Sequence, residues 1–305
     1  MKKPWYIRVA RVLIGLIVFV LLVIWIDPRI FLARTLISTR LALLKSEPEP
    51  VAQIDDYELE INSGVIKARV YYPGTEDNYP VIFYVHGGGF IIGSLKTHDN
   101  ITRYMANHLN AAVFTVEYRK SPKHRFPVAL RDLRFSLQWM QDHAQELRLD
   151  PSRLVLMGDS AGGNLVPALL IDAAERGELL HPLATALINP ILDLQKSAAG
   201  YRDYSFFINA YIDWVADALD PRASPLLWQD YSIYPPSFII VSELDPIRVE
   251  GVAFHENLQR AGIETAIYEF KEFGHLGELW AGAHDDTLPG REFLVAHLAA
   301  LLLAR

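Results

Sequence analysis

From residue 57 onward the sequence alternates between short apolar runs and longer amphipathic stretches, and this alternation constrains the fold more than any other feature. Strands are predicted at 57–61, 66–72, 81–85, 112–117, 153–157, 184–188, 237–242 and 265–270, the first two forming a hairpin. Helical patterns fall at 99–110, 127–147, 163–176, 249–261 and 289–304. Such an alternation is typical of one mostly parallel sheet covered by helices on both faces. The predicted fold class is therefore α/β.

One interval interrupts the alternation. Residues 190–232 contain the aromatic, amphipathic stretch YSFFINAYIDWVADAL and no strand pattern. Ligands of open α/β sheets bind beyond the carboxyl ends of the strands, so we expect this insertion to form a helical cap over that edge. Its aromatic residues, which either line an apolar pocket or pack the cap, are Tyr201, Tyr204, Phe206, Phe207, Tyr211 and Trp214.

The first 29 residues read as a membrane anchor. Residues 12–26 are uninterruptedly apolar, and a helix over the 22 residues 5–26 would be about 33 Å long, enough for a hydrocarbon core of roughly 30 Å. Positive charge concentrates before the apolar run, which predicts a single-pass protein with a cytoplasmic N-terminus and an extracytoplasmic catalytic domain. The alternative is a cleaved signal peptide and secretion, although no small-x-small cleavage site follows the run.

Residues 30–53 form an amphipathic segment and a linker. We expect the segment to contribute to the cap, to lie along a membrane surface, or to be an ordinary surface helix packed on the core. The catalytic domain would then span residues 54–305. Eight of the 29 Lys and Arg residues and one of the 36 Asp and Glu residues lie in residues 1–45, which leaves residues 46–305 with a net charge of −14. This acidity argues against a nucleic-acid partner. The chain has no cysteine, which excludes a thiolate nucleophile and cysteine-ligated zinc, and we predict neither a metal nor a cofactor.

A nucleophile elbow is predicted around Ser160. The strand pattern RLVLM is followed directly by Gly158-Asp159-Ser160-Ala161-Gly162 and then by a helix. Gly-x-Ser-x-Gly at a strand-to-helix turn pushes the serine hydroxyl out over the edge of the sheet. A serine hydroxyl is a poor nucleophile at neutral pH, so it needs a base, and the base needs an acid to orient it.

Asp245 and His275 are the predicted acid and base. Each follows a predicted strand, and together with Ser160 they keep the order serine, acid, histidine that this arrangement requires. Glu243 is the rival acid, and His284 is a reserve histidine. The other two histidines after Asp245, His255 and His297, fall inside helical patterns, which favours surface or packing roles.

The segment YVHGGGFIIG, residues 84–93, follows a buried strand and leaves backbone N–H groups open to negative charge. Gly87, Gly89 and Gly93 nearly match a dinucleotide fingerprint, and Glu117 stands where a ribose-binding acid would. The alternative is a site for the transient oxyanion of acyl transfer. An oxidoreductase, however, would not explain why Ser160, Asp245 and His275 are all predicted to lie at the carboxyl edge of the sheet.

The motifs described so far are His86-Gly87-Gly88-Gly89, the elbow at Ser160, Asp245-Pro246 and His275. With these motifs, the sequence resembles the hormone-sensitive lipase family of α/β-hydrolases over residues 55–305. EYRKSPKHRFPVALRD (117–132) is similar to a further stretch of that family. The resemblance implies an α/β-hydrolase fold with Ser160 as nucleophile, His275 as general base and acid, and Asp245 as its orienting partner. It also implies an oxyanion hole and a substrate pocket, whose candidate residues are Gly87, Gly88, Gly89 and Ala161 for the hole and Phe90, Asn164 and Leu276 for the pocket.

The sequence departs from the family at the histidine loop, where Leu276-Gly277 replaces the usual Gly-Phe, and at Lys123, which replaces the usual acid. The predicted function is a serine carboxylesterase that acts on small to medium, largely apolar esters. Two alternatives remain open: a catalytically inactive small-molecule receptor on the same fold, which the presence of His275 argues against, and an amidase or deacetylase.

Overall fold

The computed structural model describes residues 28–62, 64–195, 202–213 and 215–303. The chain divides into two compact units, residues 1–43 and 44–305. The first unit contributes the helix α1, Pro28–Leu44, which ends at the boundary between the units. Almost all of the predicted anchor, residues 1–29, lies outside the described residues. Within the described ranges, no helix combines the length and apolar character needed to cross a membrane.

An eight-stranded sheet forms the centre of the second unit. Its strands are β1 (Gln53–Ile61), β2 (Gly64–Tyr72), β3 (Tyr79–Val85), β4 (Ala112–Glu117), β5 (Leu149–Asp159), β6 (Ala184–Ile188), β7 (Ser237–Ser242) and β8 (Thr265–Phe270). The spatial order is β1-β2-β4-β3-β5-β6-β7-β8. The pairs β1–β2 and β2–β4 are antiparallel, and the remaining pairs are parallel. The predicted α/β-hydrolase fold, with a mostly parallel sheet, is confirmed.

Most helices of the second unit lie close to the predicted helical patterns. They are α2 (Asp99–Leu109), α3 (Val128–Asp142), α4 (Ala161–Glu175), α5 (Arg202–Tyr211), α6 (Arg248–Arg260), α7 (Gly277–Ala281), which was not predicted, and α8 (Leu288–Leu303). The main difference is at the third helix, which was expected to reach residue 147 but ends at Asp142. The next strand starts earlier than expected, at Leu149.

Side chains of the central strands enter two separate cores, one on each face of the sheet. Along β3, Val81 and Phe83 pack in the first core, while Ile82 and Tyr84 pack in the second. Because successive side chains of a strand point to opposite faces, a strand covered on both sides must be apolar throughout. Every residue of β3 is buried, which explains why its sequence shows no alternation of polar and apolar residues.

The insertion at residues 190–232 contains α5 and three short 3₁₀ helices, Val215–Leu219, Pro225–Leu227 and Tyr231–Ile233. The described part of this interval has no strand, as predicted. Contacts of α5 with the loops that follow β3 and β7 place the helix at the carboxyl edge of the sheet.

Candidate active site

Ser160 lies at a sharp turn between β5 and α4. Its backbone has φ 53° and ψ −115°, a region that non-glycine residues rarely adopt and that is typically found at functional sites. The glycines on either side permit this turn. A Cβ at Gly158 would lie 2.5 Å from the Gly162 backbone, and a Cβ at Gly162 would overlap the Val85 carbonyl oxygen. The Gly-x-Ser-x-Gly spacing is therefore a steric requirement of the turn.

His275 joins the serine to a buried carboxylate. Its Nε2 lies 2.9 Å from Ser160 Oγ, and its Nδ1 lies 2.7 Å from Asp245 Oδ2. Since a carboxylate only accepts hydrogen bonds, Nδ1 carries the proton of the neutral ring, and the lone pair on Nε2 is left to accept from the serine hydroxyl. The structure thus brings the three predicted residues, from the ends of three different strands, into one hydrogen-bonded chain.

Asp245 is buried and is held by four donors. Its Oδ2 accepts from Asn189 Nδ2 at 2.8 Å as well as from His275, and its Oδ1 accepts from the Tyr204 hydroxyl at 3.0 Å and the Ile247 N–H at 3.2 Å. Burial alone would raise the pKa of Asp245, but the hydrogen bond and charge of His275, with the bonds from the Ile247 N–H and the Tyr204 hydroxyl, lower it overall. The residue is therefore an ionised carboxylate at neutral pH.

The pKa of His275 is raised above its ordinary value of 6.5. Burial would lower this pKa, but the hydrogen bond and negative charge of Asp245 outweigh that effect, with smaller contributions from Asp159 and Glu278. A carboxylate that favours the imidazolium form makes the ring a stronger base. This is the direction that proton transfer from a serine hydroxyl requires.

The rival residues occupy other positions. The Glu243 carboxylate accepts from the Glu272 N–H and faces Lys271, while His284 Nδ1 accepts from the Asp286 N–H in a 3₁₀ turn. His255 contacts Thr265 and His297 contacts the Phe293 carbonyl. None of these bonds reaches Ser160 or His275.

The glycine loop after β3 presents free backbone donors beside the elbow. Gly88 and Gly89 have φ values of 113° and 59°, which glycine adopts without strain. Within the described part of the chain, the N–H groups of Gly88, Gly89 and Ala161 have no hydrogen-bond partner. Gly87, also predicted as a donor, differs because its N–H donates to Asp159 Oδ1 at 3.1 Å. It supports the loop and is not available to an oxyanion.

The three predicted pocket residues have other contacts. Phe90 is buried and stacks on Tyr211 of α5, with ring centroids 3.7 Å apart. Asn164 is fully buried, and its Nδ2 donates to the carbonyls of Ile191 and Ala223, near the two ends of the insertion. Leu276 packs in the second core. Asn164 and Leu276 therefore fasten and pack the surrounding structure, and their place in a substrate pocket stays a prediction.

The dinucleotide interpretation of the glycine loop has no support at Glu117. One of its carboxylate oxygens accepts from the Leu95 N–H at 3.0 Å, and the other contacts Lys120. Lys120 in turn donates to the Gly93 carbonyl at 2.8 Å. Glu117 and Lys120 therefore brace the far end of the glycine loop.

Sequence reasoning missed the roles of Asp159, Asn189 and Tyr204. Asp159 stands at a variable position of the elbow motif, but its carboxylate accepts from Tyr84 and Gly87. Asn189 and Tyr204 bind Asp245 across 56 and 41 residues of sequence. The available signal for Asn189 was an amide directly after the apolar strand ATALI. The helical spacing of Tyr204, Phe207 and Tyr211 was the corresponding signal for Tyr204.

Comparison with known proteins identifies the class. Residues 82–277 match the family model described as the alpha/beta hydrolase fold. The chain is 30% identical to an ethyl acetate hydrolase of Pseudomonas putida, over 84% of this chain and 87% of that protein. It is 33% identical to a carboxylesterase of Mycobacterium tuberculosis, over 75% and 77% of the two chains. The structure of an esterase from the archaeon Pyrobaculum calidifontis superposes with a TM-score of 0.81 at 28% identity, covering 94% of this chain and 98% of that one.

The chain belongs to the α/β-hydrolase family. The resemblance to the hormone-sensitive lipase group predicted from the motifs is confirmed, and the relatives support a carboxylesterase-type hydrolase.

Proposed function

We propose that the protein is a serine carboxylic-ester hydrolase that forms an acyl-enzyme on Ser160. The observation that carries this proposal is the hydrogen-bonded chain from Ser160 Oγ through His275 to Asp245, with contacts of 2.9 and 2.7 Å. Nucleophile, base and orienting acid are the three parts that activation of a serine hydroxyl requires.

In the first half of the reaction, the Ser160 proton moves to His275 Nε2 as Oγ attacks the ester carbonyl carbon. The carbonyl oxygen becomes negatively charged and accepts hydrogen bonds from the N–H groups of Gly88, Gly89 and Ala161. The imidazolium, stabilised by Asp245, then gives its proton to the departing alkoxide, and the alcohol leaves. The loss of one oxyanion donor typically costs about 10²–10³ in rate.

In the second half, His275 Nε2 takes a proton from a water molecule, and the resulting hydroxide attacks the acyl carbon. The same N–H groups stabilise the second tetrahedral intermediate. His275 returns its proton to Ser160 Oγ, the carboxylic acid is released and the enzyme regains its initial state. No step uses a metal or a cofactor.

The surroundings of the serine favour small to medium, largely apolar esters. The Phe207 side chain lies against Gly89, and the neighbouring Phe90 is stacked on Tyr211. Phe90 and Tyr211 are buried, so the partly exposed Phe207 ring is the aromatic surface offered to acyl or alkyl groups, which it would bind through burial of apolar surface. A set of chromogenic esters that increase by two carbons at a time would measure the chain length at which kcat/KM is highest.

The test of the proposed function is the substitution Ser160→Ala. We expect wild type to hydrolyse short-chain chromogenic esters and Ser160→Ala to lose at least about 10³ in kcat. Ser152→Ala, at an exposed serine on the same strand, is the matched control and should retain full activity. Turnover that survives in Ser160→Ala would contradict the serine mechanism, and a wild type without activity on a broad panel would favour the receptor alternative.

We also propose that residues 1–29 anchor the protein, with the catalytic domain outside the cytoplasm. The apolar run at 12–26 and the four cations before it support this topology. A reporter fused after residue 305 and assayed for activity on each side of the membrane tests it. A cytoplasmic reporter would contradict the orientation, and release of a shortened chain would favour a cleaved signal.

A further inference from the structure

Helix α5 presents Tyr204, Phe207 and Tyr211 at i, i+3 and i+7, a spacing that places them on one helix face. Tyr204 approaches the acid and the base. Its hydroxyl donates to Asp245 Oδ1 at 3.0 Å, and its ring meets the His275 ring edge-on, with centroids 5.6 Å apart.

The other two side chains on this face reach the glycine loop. A Cβ at Gly89 would overlap the Phe207 ring, so the two residues are in direct contact. Tyr211 stacks on Phe90 in a nearly parallel arrangement, with an interplanar angle of 3°. One face of the cap helix therefore contacts both the residues that activate the serine and the loop that would stabilise the oxyanion.

The Tyr204 hydroxyl donates the shorter of two hydrogen bonds that hold the Oδ1 atom of Asp245. Among the described residues, the only other donor to Oδ1 is the Ile247 N–H, at a longer distance of 3.2 Å. Hydrogen bonds to a charged group contribute more than those between neutral groups, and they fix the plane of the carboxylate. That plane in turn sets the direction of the His275 Nδ1–H bond.

Packing alone does not account for this hydroxyl. At the next two positions of the same face, α5 contacts the loop through apolar rings: Phe207 has no hydroxyl, and the buried Tyr211 hydroxyl has no hydrogen-bond partner within the described residues. Of the two tyrosine hydroxyls on this face, only that of Tyr204 has a hydrogen-bond partner within the described residues, and the partner is the Asp245 carboxylate.

We propose that Tyr204 is a positioning residue through which the docking of helix α5 controls the orientation of Asp245 and the base strength of His275. The cap would then act on catalysis as well as covering the site: when α5 is docked, the acid is fully bonded, and when α5 moves away, Asp245 loses a donor. This inference rests on the proposed serine mechanism.

The substitution Tyr204→Phe isolates this contact because it keeps the ring against His275 and removes only the hydroxyl. The other groups that face His275 are unchanged. They are Asp245, Asp159 at the end of β5, Glu278 on α7 and the uncharged Ser160. Tyr231→Phe is the matched control, since it also removes a hydrogen-bonded tyrosine hydroxyl from the insertion, one that accepts from Asn257 at 2.7 Å.

We expect Tyr204→Phe to lower kcat about tenfold, because a less firmly oriented Asp245 directs His275 less well toward Ser160, and this loss outweighs any gain in base strength. KM should stay within about twofold of wild type, because the hydroxyl faces the acid and not the ester. The acidic limb of kcat/KM should move to higher pH. Without the Tyr204 donor, the negative charge of Asp245 is less neutralised by hydrogen bonds and attracts the imidazolium more strongly, which raises the pKa of His275 further. Tyr231→Phe should match wild type in kcat, in KM and in its pH profile.

Unchanged kcat in Tyr204→Phe, a loss confined to KM or to thermal stability, or a lower kcat without displacement of the acidic limb would each overturn the inference. Ser160→Ala is assayed in parallel. If it is active, the serine mechanism itself fails. If it is inactive while Tyr204→Phe equals wild type, only the role of Tyr204 fails.

Discussion

The backbone N–H of Gly87 donates to Oδ1 of Asp159, the residue directly before Ser160, at 3.1 Å. The same oxygen accepts from the Tyr84 hydroxyl at 2.7 Å, and Oδ2 lies 3.3 Å from His98 Nε2. All these groups are buried. A single carboxylate thus ties the glycine loop to the turn that carries Ser160, and under the proposed mechanism it would set the distance between the oxyanion donors and the serine.

Asp159→Ala should therefore slow the reaction. Removal of the carboxylate leaves Gly87 N–H and the Tyr84 hydroxyl buried without an acceptor, which costs about 1–3 kcal/mol of stability per group and releases the loop. We expect kcat to fall about tenfold or more. Asp159→Asn keeps an acceptor oxygen and should lose less, both in kcat and in thermal unfolding temperature. Equal activity of Asp159→Ala and wild type would show that the loop holds its position without this residue.

The pH dependence of kcat/KM should show an acidic limb above pH 6.5. The imidazole must be neutral to accept the serine proton, and Asp245 raises the pKa of His275, so activity is lost as pH falls through that raised value. Initial rates across the pH range measure the limb, and circular dichroism at each pH establishes that the protein stays folded. A limb clearly below 6.5 would contradict the assigned pair.

Gly162→Ala should destabilise the protein because its Cβ would overlap the Val85 carbonyl oxygen. Overpacking of a closely packed interior typically costs about 1–3 kcal/mol. The matched control is Gly274→Ala, at an exposed glycine with open space around it, for which we expect little change. Chemical denaturation gives both values. Equal stability of the two variants would mean that the elbow relaxes more easily than its geometry indicates.

Asn164→Ala should loosen the insertion. The Asn164 amide donates to the carbonyls of Ile191 and Ala223 at 2.7 and 2.8 Å, so its loss leaves two buried acceptors unpaired at about 1–3 kcal/mol each. We expect faster cleavage within residues 190–232 under limited proteolysis. Asn209→Ala, at an exposed position on α5, should be cleaved at the wild-type rate. An unchanged cleavage pattern in Asn164→Ala would show that other contacts fasten the insertion.

The sequence predicted most of the fold because local patterns determine it. The strands at 112–117, 184–188, 237–242 and 265–270 lie where the apolar runs are, and the opening hairpin forms as expected. The end of α3 was harder to predict from the sequence. The segment 143–148 contains a mixture of polar and apolar residues that fits a helix, but Asp142 ends the helix and Leu149 pairs with Tyr79 on β3.

The candidate site could be predicted where a local motif carries the chemistry. Ser160 stands in an elbow, while Asp245 and His275 follow strands, so their meeting at one edge follows from the topology. The roles of Asp159, Tyr204 and Asn164 depend on bonds that cross 27 to 75 residues of sequence. No local pattern encodes which distant carbonyl or hydroxyl such a side chain will meet. The bonds by which Asn164 fastens the insertion were consequently not predicted.

If Ser160 is the residue that becomes acylated, a reagent that reacts covalently with activated serines will modify it. A reactive phosphonate ester mimics the tetrahedral intermediate and remains attached to an activated serine. Peptide mass mapping after labelling should find one phosphonyl group per chain, on Ser160, with esterase activity lost in proportion to labelling and no adduct in Ser160→Ala. Full activity in protein whose Ser160 is completely modified, or inactivation by an adduct on another residue, would show that Ser160 is not the nucleophile.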